Sequence, residues 1–151
     1  MKFVFRLEAP LRLARHLEES SRRTLGKAMV RLDTCLRTLS ALQEAMNEET
    51  SAQSAPRQGE IWVQGQNLFL DWVHGQHEKI SHSREACAVA EKVVAEARAD
   101  LVEKRRAVEV LERLRDRRLA QWKLEESRKE LAEGSDVAGR RWMAQRRAEA
   151  S

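Results

Sequence analysis

The sequence predicts an all-α protein, an antiparallel two-helix coiled-coil hairpin with a longer second helix overhanging as a single helix. Three observations predict it. Apolar or small residues recur at alternating gaps of three and four through Leu11, Ala14, Ser21, Leu25, Ala28, Leu32, Cys35, Leu39, Leu42 and Met46, and only Glu18 breaks the line. A repeat of 3.5 residues keeps one stripe of a helix facing one partner. The composition suits no thick core: charged residues make up 34% and aromatics 5%, with no Tyr, two Pro and six Gly, the profile of a long helix or coiled coil. Finally, one clear break, ETSAQSAPRQGE from Glu49 to Glu60, separates two helical stretches.

The elements follow in order within one expected coiled-coil domain, 1–151. In the opening segment, Phe3, Val4 and Phe5 lie between Lys2 and Arg6. Pro10 suits the first turn of a helix, where its missing N–H costs nothing, or else kinks a preceding short turn. Helix one is expected over about 11–49, with Gly26 inside it at a cost of roughly 1 kcal/mol. Pro56, with Thr, Ser, Gln and Gly around it, forbids a continuing helix and makes about 50–59 a hairpin tip. Helix two is expected over about 60–133. Its stripe passes through Phe69, Val73, Gln76, Ile80, Ser83, Cys87, Ala90, Val94, Ala97, Leu101, Val108 and Leu111. Gly134-Ser135 is a stop signal, which leaves 134–151 as a frayed tail, in which Asp136 to Ser151 could form a short helix weakened by Gly139 and anchored by Trp142.

A short loop between helices folds them back antiparallel. A symmetric hairpin then places Leu11 near Ala99 and Cys35 near Gly75. Helix two runs on unpartnered from Leu101 as an overhang of ~45–50 Å at 1.5 Å per residue. In that register the two sulfurs are ~18 Å apart along the axis, too far for an intramolecular disulfide.

Net charge is +4, from 28 basic and 24 acidic residues mixed throughout. The surface is therefore a solvated, pair-forming face, short of the clustered charge of a committed nucleic-acid binder. No apolar run is long enough to span a membrane. Charges interrupt MKFVFRLEAP where a signal peptide needs an apolar run, so a cytoplasmic chain with reduced cysteines is expected. The cysteine spacing fits no zinc pattern. His74, His77, Glu78 and His82 have one-turn ligand spacing, but nothing converges on them from elsewhere. No phosphate loop or nucleophile elbow appears, and a bare rod offers no concave site. No enzyme activity, metal or cofactor is expected.

Two features point to protein partners. Ile61, Trp62, Val63, Leu68, Phe69, Leu70, Trp72 and Val73 crowd the start of helix two on more stripes than a two-helix rod can bury. Such patches mark docking surfaces, unless the tip flares and helix one covers them with Leu36, Leu39, Gln43 and Met46. Farther on, Val108, Leu111, Leu114 and Trp122 are surrounded by Arg105, Arg106, Arg113, Arg115, Arg117 and Arg118. That basic amphipathic helix could enter a protein cavity, lie on an anionic membrane surface or follow a nucleic-acid groove.

The opening MKFVFRLEAPLRLARHLEE and the later EARADLVEKRRAVEVLERLRDRR, Glu96 to Arg118, followed by Trp122, resemble the flagellar export protein FliJ family. Pro10 and Trp122 depart from its usual residues. The resemblance implies a stalk-like, non-catalytic component of the flagellar type III export apparatus. It implies three partners: the ring of the export ATPase FliI, the export-gate protein FlhA and export chaperones. It also implies a cytoplasmic protein, peripheral at the inner face of the cell membrane. Carried onto this chain, Arg105, Arg106, Arg113, Arg115, Arg117 and Arg118 suit the ATPase-facing end. Trp62, Phe69, Trp72 and Val73, with Leu39 and Met46 opposite, suit the gate-facing side. The rivals are the equivalent stalk protein of a virulence secretion system, a basic hairpin binding nucleic acid or an anionic membrane, and a homodimeric scaffold.

Overall fold

The computed structural model describes residues 1–53 and 60–151, with side chains in the second stretch described from Val63 onward. The chain consists of two helices packed against each other, α1 (Glu8–Gln53) and α2 (Glu60–Glu149), with no strand among the described residues. The centre of the expected tip, with Pro56, lies outside the described residues.

α1 begins earlier than the apolar stripe does. The Glu8 amide donates to the Phe5 carbonyl at 3.2 Å and the Leu11 amide to that of Leu7 at 3.0 Å, so Pro10 falls in the first turn. There its missing N–H has no intrahelical partner to lose, and the Glu8 carboxylate lies at the positive end of the helix dipole. At the other end the helix continues past Glu49 to Gln53, and the Thr50 hydroxyl donates to the Met46 carbonyl at 2.7 Å.

α2 departs further from expectation. It passes through Gly134-Ser135 and ends at Glu149, so 134–149 is regular helix. A glycine costs a helix interior only about 1 kcal/mol relative to alanine, and no proline follows to enforce the stop. Flanking Glu, Ala, Arg and Lys are strong helix formers, and Arg146 and Arg147 in the last turn complement the dipole.

The described chain divides into two compact units, Met1–His16 with Arg105–Ser151, and Leu17–Lys104. In the second, the core is a narrow seam: Ala28, Ile80, Cys87, Val94 and Ala97 are buried, and Leu25, Leu32, Cys35, Leu39 and Met46 are half-buried. Ser21, only 6% exposed, donates a 2.6 Å hydrogen bond to Asp100 Oδ2. In the first unit, Leu11 is 0% and Val108 5% exposed. Partly exposed ion pairs join Arg15 to Glu112 at 2.9 Å and Arg115 to Glu8 at 3.7 Å.

These pairs correct the expected register. Ser21 meets Asp100, and Cys35 contacts Cys87 rather than the neighbourhood of Gly75, a slip of one to two heptads along α2. The reason is degeneracy: a seven-residue slip brings seam positions back onto seam positions, so the apolar stripe alone does not choose among them. The overhang is corrected with it. Val108 is buried, Leu111, Leu114 and Trp122 are half-buried, and continuous exposure starts only at Ser127.

Candidate docking surfaces

At the start of α2, Phe69 and Trp72 stack with ring centroids 5.9 Å apart and planes 20° from parallel. Three residues apart, they are neighbours on one helix face. Both are half-buried, as is Val73. Val63, Leu68 and Leu70 are 51%, 71% and 56% exposed, with Leu68 on one flank of the half-buried face and Val63 and Leu70 on the other, and exposed apolar side chains gathered in this way mark a candidate binding site. The Trp62 side chain lies outside the described residues. Leu39 and Met46 are half-buried on α1. Met46 lines a groove of about 560 Å³ with Gln43, His77, Ile80 and Arg84, one to two turns beyond Val73. The same slip in register moves it there.

The basic residues are less uniform than their spacing suggests. Arg105, Arg106, Arg113, Arg117 and Arg118 are exposed, whereas Arg115 is half-buried and holds Glu8. Arg113 reaches Glu109 one turn back, at 3.9 Å. A pair this exposed contributes little to stability, of order 0–1 kcal/mol, so Arg113, together with the exposed Arg106, Arg117 and Arg118, can turn to an acidic surface.

Beside them is a feature that the expected overhang concealed. The N-terminal segment lies along α2. Phe3 packs on Trp122, with centroids 6.0 Å apart and planes at 53°, and the Met1 ammonium is 3.7 Å from Glu126. Phe3, Phe5, Leu114, Arg118 and Trp122 line a groove of about 580 Å³. The sequence did carry a signal for this contact. Phe3 and Phe5 lie two apart in an opening segment that needs an apolar partner.

Cys35 and Cys87 meet across the seam. Burial pushes the Cys87 thiol above its ordinary value, and Cys35, Glu91 and the thiol–thiol hydrogen bond add to the shift. Among the histidines, His74 Nε2 lies 3.4 Å from Glu78 and His82 Nδ1 lies 4.0 Å from Glu85. All four side chains are largely exposed, and no group of three metal-ligating side chains forms among the described residues. No described helix is long and apolar enough to cross a membrane.

No curated protein and no solved structure matches the chain. The sequence profile of the Flagellar FliJ protein family does, over residues 1–147. With two packed helices and a match over nearly the whole length, the chain belongs to the FliJ family, whose members are non-enzymatic components of the flagellar type III export apparatus.

Proposed function

We propose that this protein couples the ring of the export ATPase FliI to the export-gate protein FlhA and helps to escort export chaperones, held by these contacts at the inner face of the cell membrane. One observation carries the reading. The Phe69–Trp72 stack is half-buried and Val63, Leu68 and Leu70 on its two flanks are exposed, so α1 leaves apolar side chains uncovered at this end of α2. Buried aromatic anchors ringed by weaker contacts dominate protein–protein affinity, which suits a gate-facing surface. Trp62 and Val73 belong to the same stretch of α2. Arg106, Arg113, Arg117 and Arg118, farther along α2, offer donors to an acidic ATPase surface.

The test is binding of the full chain to the isolated cytoplasmic part of FlhA by titration calorimetry. The double variant Phe69→Ala/Trp72→Ala is expected to weaken binding at least tenfold while keeping the far-UV helix signal. Unchanged affinity would refute the gate-facing assignment. A collapse of helicity would place the two rings in the core instead.

A further inference from the structure

The two cysteines come from different helices, and both belong to the seam of the Leu17–Lys104 unit. Cys87 is 5% exposed. Cys35 is half-buried and lies close enough to share a hydrogen bond with it. The Ser21–Asp100 contact, in the same unit, fixes the same alignment of α1 against α2. Cys35 also opens onto a groove of about 410 Å³ whose wall includes Ala28, Thr34, Ala86 and Ala90. Val30, Arg31, Val89 and Val93 complete that wall, and Cys35, half-buried at its side, is the more accessible of the two thiols.

We propose that Cys35 and Cys87 form a redox-sensitive modification site, a dithiol that closes into an intramolecular disulfide by exchange with a low-molecular-weight disulfide and so joins α1 covalently to α2. The Cys35 thiolate attacks one sulfur of the small disulfide, forming a mixed disulfide on Cys35 and expelling one small thiolate. The Cys87 thiolate then attacks the Cys35 sulfur. The Cys35–Cys87 bond forms, and the second small thiolate leaves. Two protein thiols and one small disulfide become one protein disulfide and two small thiols, with the small disulfide as the oxidant. A disulfide requires Cβ atoms about 3.5–4.5 Å apart. The two backbones set that spacing: about four turns along each helix from the Ser21–Asp100 contact, Cys35 comes level with Cys87, and a slight approach of α1 to α2 closes the remaining gap. In a reducing compartment the pair rests as thiols, and it closes when the poise turns oxidising. Closure removes every other register from this unit, because a covalent bond cannot slip by a heptad.

The test uses the reduced full-length chain, incubated with increasing oxidised glutathione, trapped with a maleimide and read by intact mass and peptide mapping. The expected product is a monomer two hydrogens lighter than the reduced chain, taking up no maleimide, with a Cys35–Cys87 cross-linked peptide and an unchanged far-UV spectrum. Cys35→Ser and Cys87→Ala should each abolish it. A stable glutathione adduct on Cys35 with Cys87 still alkylatable after denaturation would overturn the proposal. So would a product linked between two chains, or a cross-link that forms only with loss of helicity.

Discussion

Ser21, buried in a mostly apolar seam, meets Asp100 at its edge at 2.6 Å, and Lys104 lies 3.9 Å from the same carboxylate. A polar pair at a seam position contributes less by its own strength than by being the wrong partner for every other register. Ser21→Ala removes the donor but improves helix propensity, so the expected loss is modest, about 1 kcal/mol in urea unfolding. A loss near zero would mean that water replaces the hydroxyl. Cys87 gives a second prediction. Its thiol holds its proton more tightly in the fold than in the unfolded chain, where its ordinary value is 9.0. The folded pKa is raised, so the stabilisation is complete below the unfolded value and is lost as pH rises through the folded one. Glu91 and Cys35 are the groups acting on it. The urea midpoint of the reduced chain should therefore fall more steeply above about pH 9 than that of Cys87→Ala. Parallel curves would show that Cys87 does not carry the dependence.

At the scale of the element, both helices were legible because periodicity and composition act locally. Every seam position from Leu11 to Met46, and every one from Phe69 to Leu111, is buried or half-buried. The end of α2 was misread because Gly134 was given the weight of a stop signal without a proline to enforce it. The alignment of the helices was not legible, because each apolar contact that places Leu11 opposite Ala99 has an equivalent one or two heptads away. What settles it is a specific polar pair and a pair of small thiols, neither of which announces its partner in the sequence. The apolar surfaces proposed for docking were legible in part. The Phe69–Trp72 patch showed as crowding on one helix, whereas the packing of Phe3 on Trp122 depended on the alignment. Beyond Ser127 every residue of α2 is exposed, so this stretch depends on intrinsic propensity. A Cβ built at Gly134 or Gly139 meets nothing within 4 Å. Alanine at both should therefore add roughly 1 kcal/mol of helix stability each. That gain should appear as slower amide exchange over 127–149, and unchanged exchange would show the glycines are not its weak points.

For the molecule as a whole, the mixed charge sets what can bind and how firmly. From Leu101 to Glu133 there are 10 basic and 8 acidic residues, so an acidic partner must be met by particular guanidinium groups rather than by a general field. If the proposed coupling to FliI holds, the native chain should raise its steady-state ATP hydrolysis, and replacing Arg113, Arg117 and Arg118 by Glu should abolish that stimulation. Undiminished stimulation by the triple variant would move the ATPase contact elsewhere on the chain. The packing of Phe3 on Trp122 has a consequence for any such experiment. With no tyrosine in the chain, its fluorescence excited at 295 nm comes from indoles alone, and those described lie in distinct places. Trp72 stacks on Phe69, Trp122 lies under the N-terminal segment, and the exposed Trp142 has the Arg146 guanidinium 4.5 Å from its ring centre. Variants that keep one of these indoles and carry Phe elsewhere would turn the protein into its own optical probe. A partner covering the start of α2 would shift Trp72 emission to the blue. One that lifts the N-terminal segment would shift Trp122 to the red, and one that grips the end of α2 would change the quenching of Trp142.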